Sequence, residues 1–258
     1  MNTAIKIDRS ATLQKQIHSL EVEGYCVLPD AIPAQALNMI RTELQRLEET
    51  ILQNSSQVGD RSVKIDRTRL LIHDLQFEML PSLHNLITNG PGRKIAAAAM
   101  LDELVCIGAT FANCKPGYVG IPFHTDFDPY GSDLYRPSNP VSVRITHYLD
   151  DLTRAKAPLR LLPYSHVSMR KDRRPELRFQ EELPGELVLE CDAGTAVMFN
   201  PRIFHGVGPN LTEMNRRVIA ITYRPRWAKP LRSVSEHDPV KLAKLSPELR
   251  LLFENINS

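Results

Sequence analysis

Apolar residues recur at helical spacing early in this chain and in short strand-like runs later. Leu37, Ile40, Leu44, Leu47 and Ile51 fall on one face of a 3.6-residue repeat, and Pro33 suits a first helical turn, which predicts a helix over 33–53. Its stripe serves packing against a sheet far more readily than a coiled-coil seam. The polar segment Gln53 to Asp66 reads as a loop bordering a site. Asn89-Gly-Pro-Gly92 is a turn signal, and it predicts a second helix over Arg93–Leu101. From Leu104 the pattern changes to short apolar runs: Leu104–Phe111, Val141–Leu149, Leu159–Leu162, Glu186–Leu189, Thr195–Phe199 and Val218–Tyr223. Glycine and proline separate these runs, which is the signature of a β-sandwich or barrel carried by supporting helices. No internal repeat or low-complexity tract interrupts the sequence.

Composition narrows the class without choosing within it. A chain of 258 residues can bury a substantial core as one domain, and 42% apolar with 24% charged residues is globular usage. The formal charge of +2 gives no reason to expect nucleic acid. Cys26, Cys106, Cys114 and Cys191 form no CxxC pair, which predicts reduced thiols and a cytoplasmic protein. The segment Met1–Arg9 lacks the apolar run of a signal peptide, and the longest apolar run, Ile95 to Leu101, is far too short to cross a bilayer. Monomer and homodimer both remain open.

Chemistry concentrates in Phe123-His124-Thr125-Asp126 and Phe204-His205-Gly206. Side chains alternate in an extended segment, so His124 and Asp126 point the same way and can bind one ion. His205 follows 81 residues after His124 (205 − 124), as a ligand from a distant strand would. Two imidazoles and a carboxylate occupy one face of an octahedral iron(II) ion and leave three positions for a co-substrate and dioxygen. Arg216 follows His205 by 11 residues (216 − 205) and offers a planar fork to a carboxylate. Each piece alone is weak, since a lone His-x-Asp arises by chance and a single histidine is more often structural. A zinc hydrolase using the same three residues, or a catalytically silent binding relative, are the alternatives from other classes.

These residues carry a resemblance. The stretches Phe123 to Tyr130, Tyr148-Leu-Asp-Asp-Leu152, Pro158 to His166, Phe199 to Asn210, and Asn215-Arg-Arg-Val218 through Tyr223-Arg-Pro225 resemble the phytanoyl-CoA dioxygenase-like (PhyH) oxygenases. Gly24-Tyr-Cys-Val-Leu-Pro29 is similar to the family's opening strand, and the likeness runs over roughly residues 15 to 228. Tyr164 stands where the family usually has glycine, and the tail after Trp227 has no counterpart. The resemblance implies a mainly β fold with supporting α-helices, built on a double-stranded β-helix (jelly-roll, cupin-like) core. One domain is expected: helical support over about 10–102, the core over about 103–228, and a C-terminal extension over 229–258.

The resemblance further implies iron(II), with 2-oxoglutarate and dioxygen as co-substrates and succinate and carbon dioxide as products. A small-molecule substrate would be hydroxylated or otherwise oxidised, in specialised natural-product biosynthesis on the leaning the motifs allow. His124, Asp126 and His205 are then the metal ligands, Arg216 clamps the distal carboxylate of 2-oxoglutarate, and Arg144, Thr146, Asn113 and Lys115 are weaker candidates for that pocket. Halogenating relatives replace the ligand carboxylate with Gly or Ala, so Asp126 argues against halogenation. Phe127, Tyr130, Tyr135 and Arg202 are candidates for the substrate entrance. The basic run Arg170-Lys-Asp-Arg-Arg174 with Arg178, and within it Arg173 and Arg174, is either a solvated face or a landing site for an anionic substrate.

Overall fold

The computed structural model describes residues 3–53, 63–73, 75, 80–126, 142–168, 182–228 and 237–257. Phe127, Tyr130, Tyr135, Arg173, Arg174 and the rest of the basic run lie outside the described residues.

Two sheets form the body. The larger has seven strands in the order β2 (Tyr25–Leu28), β10 (Ala196–Phe199), β7 (Val143–Tyr148), β12 (Arg216–Pro225), β5 (Leu104–Cys114), β4 (Arg69–Ile72) and β3 (Val63–Ile65). The smaller has five, in the order β1 (Thr3–Ala4), β9 (Leu187–Val188), β8 (Leu159–Leu162), β11 (Phe204–Val207) and β6 (Ile121–His124). Every pairing is antiparallel except β1 with β9. From β5 onward the chain passes back and forth between the sheets, with β8 and β9 together in the smaller one, which is the jelly-roll expected from the sequence.

Strand alternation sorts residues into two cores. On β12 and β7 the odd-numbered Ile219, Ile221 and Ile145 join a cluster that includes Leu37, Ile40 and Leu44 of helix α2 (Ala34–Gln53) and Ile95 and Ala96 of α4 (Pro91–Met100). The even-numbered Val218 and Tyr148 face the other way and meet Leu159 and Leu161 of the smaller sheet. The helical stripe therefore packs on a sheet, as its spacing predicts, and the space between the sheets belongs to the opposite strand face.

Helices α1 (Leu13–Val22) and α3 (His84–Asn89) have no counterpart in the sequence reading. Thr12 caps α1 by accepting a hydrogen bond from the Lys15 amide, but Leu20 is its one buried residue, so the helix carries little apolar stripe. Strands also form in two segments outside the predicted apolar runs, the first of them within the stretch read as a loop. Val63–Ile65 pairs with β4, and Ile121–His124 pairs with β11 across His205 and His124. In both cases the partner strand, not local propensity, decides the conformation. Gly120 opens β6 at φ 91°, and a Cβ there would lie 2.3 Å from the Val207 carbonyl oxygen. Tyr164 adopts φ 65°, in the left-handed region that favours glycine.

The tail is tied to the barrel by arginine. Leu249, Leu252 and Phe253 enter the same core cluster as Ile219, and the Cys106 amide donates to the Leu252 carbonyl at 2.8 Å. Arg224, 2% exposed, donates to the carbonyls of Pro225 (3.2 Å), Arg226 (3.2 Å), Ile256 (2.9 Å) and Ala228. Removing a buried cation that satisfies several carbonyls strands those acceptors. Arg224→Ala is therefore expected to lower unfolding stability by about 3 kcal/mol or more in urea denaturation. A loss below roughly 1 kcal/mol would show that the clamp contributes little.

The four cysteines are free thiols and all are buried. Among the described residues no helix is long and apolar enough to cross a membrane.

Candidate metal and co-substrate site

His124 closes β6, His205 sits in β11, and the two are direct cross-strand partners with ring centroids 4.4 Å apart. Asp126 lies two residues beyond His124, where its amide donates to the Pro201 carbonyl at 2.9 Å. Asp126 Oδ1 is 3.8 Å from His124 Nε2 and 3.8 Å from His205 Nε2. One donor atom from each residue falls within 4.8 Å of the others, and among the described residues this is the single such cluster of three.

The tautomers follow from the backbone. His124 Nδ1 lies 2.9 Å from the Pro122 carbonyl oxygen, and His205 Nδ1 lies 3.0 Å from the Ile203 carbonyl oxygen. A carbonyl can only accept, so each Nδ1 carries the proton and each Nε2 turns a lone pair towards Asp126. Burial pushes the His205 pKa down to about 4, which keeps the ring neutral and able to ligate at ordinary pH. The Phe199 ring packs against it at a tilt of 51°, with centroids 4.8 Å apart. These are the donors that a divalent transition metal requires, with the rings oriented before it arrives.

Burial also holds the His147 pKa down to about 4, on the opposite, helix-covered face of β7. Both histidines lie well below an unfolded value near 6.5, so the unfolded chain takes up protons that the folded one refuses as pH falls from about 6.5 towards 4. The metal-free protein is thus expected to lose roughly 1.4 kcal/mol per pH unit for each histidine across that window. Urea titrations at several pH values check this, and His147→Gln should remove about half of the slope.

Register places the remaining candidates. Arg216 pairs with Cys114 across β12 and β5, and Arg217 pairs with Asn113. Arg216 is 4% exposed on the inner face, with its guanidinium carbon 5.2 Å from the centroid of the Tyr148 ring. Arg216 Nε and Tyr148 Oη are buried without a hydrogen-bond partner, and no carboxylate pairs with Arg216 among the described residues. A buried guanidinium beside an unsatisfied phenol fits an anion that binds there. Arg217 turns outward to Asp150, donating from its amide (2.8 Å), Nε (3.0 Å) and NH2 (2.7 Å).

Thr146 and Arg144 share the inner face with Tyr148, Val218 and Ala220. Thr146 is buried between Tyr148, whose ring lies under Arg216, and Arg144 along β7. Arg144 reaches Asp126 instead, with Nε 3.5 Å from Oδ2. Asn113 and Lys115, expected near the co-substrate, face α2: the Asn113 amide donates to both Glu48 oxygens (3.1 and 2.9 Å) and Lys115 Nζ lies 3.5 Å from Glu48. Their odd numbers put them on the Arg217 side, so neither joins the pocket. Arg202, expected at the entrance, is 4% exposed and donates to the His166 carbonyl at 3.0 Å. It braces the turn before β11. Tyr148 was within reach of the sequence, since Arg144 and Thr146 share its alternation; the stacking of Phe199 had no such signal.

Comparison with known proteins places this geometry. The phytanoyl-CoA dioxygenase (PhyH) family model matches residues 20–218. An ectoine dioxygenase from Nocardia farcinica (strain IFM 10152) is 20% identical over 234 residues, covering 81% of this chain and 76% of the relative. AviO1 from Streptomyces viridochromogenes Tue57 shares the fold at a TM-score of 0.67 and 19% identity, over 86% of this chain and 99% of that one. HygX from Streptomyces hygroscopicus, solved with nickel, 2-oxoglutarate and hygromycin B bound, superposes at 0.64 with 15% identity, over 87% and 97% of the two chains. The match over residues 20–218, most of the sequence, makes this chain a member of the phytanoyl-CoA dioxygenase (PhyH) family of iron(II)- and 2-oxoglutarate-dependent oxygenases.

Proposed function

We propose that His124, Asp126 and His205 hold iron(II), that Arg216 receives the distal carboxylate of 2-oxoglutarate, and that the enzyme oxidises a small metabolite, most directly by hydroxylation. The observation that carries this reading is the pairing of two features within one barrel. Three metal donors converge at β6 and β11 of the smaller sheet, and a buried arginine without a carboxylate partner among the described residues lies on the inner face of β12 in the larger one. A zinc hydrolase would use the first feature and have no use for the second. Specialised biosynthesis is supported by the company the fold keeps, since HygX is solved with hygromycin B.

Bound at the three donors, iron(II) would supply dioxygen activation coupled to oxidation of 2-oxoglutarate to succinate and carbon dioxide. The chain's own residues do the rest. The carbonyls of Pro122 and Ile203 fix both imidazoles, Asp126 contributes the anionic donor, and Phe199 keeps His205 from turning. Arg216 and Tyr148, both buried, would orient the co-substrate, with Thr146 next along the same face of β7. We also read the chain as a single domain, supported by the tail packing into the core of the larger sheet.

Anaerobic addition of iron(II) and 2-oxoglutarate should produce a weak visible band near roughly 500 nm, as chelation at an ion with open positions gives. Oxygen should then release succinate, and a screen of metabolite pools by succinate yield and product mass spectrometry should find the substrate. Absence of both the band and succinate would overturn the oxygenase reading.

A further inference from the structure

Arg144 carries a charge that the metal and co-substrate leave over. It stands on the inner face of β7, level with Phe199 of β10 and Thr222 of β12, both neutral. Phe199 packs against the ring of His205, and Arg144 Nε lies 3.5 Å from Asp126 Oδ2, so the guanidinium borders the three metal donors. That ion pair engages one of its nitrogens. The side chain is 28% exposed, and its two terminal nitrogens make no hydrogen bond among the described residues.

Charge decides what such a group can receive. A divalent metal and Arg216 bring three positive charges, two from the ion and one from the guanidinium. Asp126 and doubly ionised 2-oxoglutarate bring three negative ones, so these groups balance. Arg69, on the same inner face beside Cys114, has Asp66 at 3.9 Å. Arg144 then adds one positive charge beside the metal with no counterpart among these groups. Its outer edge is a fork that two carboxylate oxygens can meet at once. A phosphate monoester would overshoot, since it carries about −1.5 to −2 at neutral pH.

We propose that Arg144 recognises a carboxylate on the main substrate and so holds the carbon to be oxidised beside the metal. This names a substrate class for the function proposed above and rests on that metal-site reading. It differs from contact with 2-oxoglutarate, whose distal carboxylate belongs to Arg216.

The test loads the full chain with manganese(II) and 2-oxoglutarate and adds small carboxylic acids, each beside its own primary amide, together with simple phosphate esters. Manganese speeds the proton relaxation of molecules bound near it, and zinc-loaded protein is the diamagnetic control. Acid and amide are read in one sample, so their ratio does not depend on how much metal a variant holds. In the wild type at least one acid should be enhanced roughly tenfold or more over its amide. Arg144→Met should bring that ratio to about one, and Arg144→Lys should restore part of it, because an ammonium keeps the charge without the fork. Thr222→Glu keeps Arg144 but sets a carboxylate directly across from it on β12, so it too should remove the preference. The iron(II) and 2-oxoglutarate band should titrate in Arg144→Met within about threefold of the wild type.

No acid enhanced over its amide in the wild type would overturn the proposal, and so would a preference that survives in Arg144→Met. A 2-oxoglutarate requirement raised about tenfold or more in Arg144→Met would make Arg144 a co-substrate contact and sink the idea equally. Phosphate esters enhanced above every acid would overturn the carboxylate assignment. Wild-type protein that holds no manganese would instead remove the metal-site reading on which the proposal stands.

Discussion

Asp126→Ala is expected to abolish oxidation of the substrate, by on the order of a thousandfold or more in turnover, because it removes one of three protein donors and the only anionic one. His124→Ala and His205→Ala should do the same. The three should differ in how they fail. His205 is buried and packed against the rings of Phe199 and His124, so its removal opens a cavity and costs stability as well. Asp126 is partly exposed, and its removal should leave folding nearly intact while leaving Arg144 without its ion pair. Asp126→Gly opens a coordination position that chloride can fill, but the substrate pocket was not shaped for that chemistry and no halogenated product is expected. The decisive measurement is product formation beside metal affinity for each variant. Near-normal turnover in any one of them would remove that residue from the site.

The legible parts of this protein were those fixed by spacing along one element. The helix over 33–53 follows from five apolar residues on one face, and the split of Arg216 from Arg217 follows from strand alternation alone. The His-x-Asp geometry was readable for the same reason. What escaped depends on partners distant in sequence. β6 is a strand because β11 pairs with it, and no local pattern in a segment with Gly120 and Pro122 announces that. The misplacement of Asn113 has a sharper lesson. The resemblance suggested it as a weaker candidate for the co-substrate pocket, yet its pairing with Arg217 turns it to Glu48 on α2. Arg202 was read as lining the substrate entrance and is instead buried, donating to the carbonyl of His166, a residue distant in sequence. Alternation assigns a face only when one member of the strand has been assigned already, and on β5 that anchor is the register with β12.

Arg216→Ala should raise the 2-oxoglutarate requirement on the order of a hundredfold, while Arg217→Ala should leave it within about threefold. The first variant removes a guanidinium from a buried site, where a charged carboxylate would find neither water nor a fixed cation. Tyr148 alone cannot replace it, since one neutral hydroxyl supplies a single donor and no charge. Arg216→Lys should recover only part of the loss, because an ammonium lacks the planar fork that meets two carboxylate oxygens at once. The second variant breaks a bidentate pair with Asp150 on the outer face of the same strand, where the side chain is 25% exposed. Its cost should appear as about 1 kcal/mol of stability, with the co-substrate titration unmoved. The two residues are adjacent, so nearby distortion of β12 would affect both alike and cannot produce the contrast. A 2-oxoglutarate titration of succinate release in the three variants reads it directly. Equal effects, or a larger effect at 217, would show that the co-substrate lies on the other face of β12 and that the pocket beside Tyr148 serves something else.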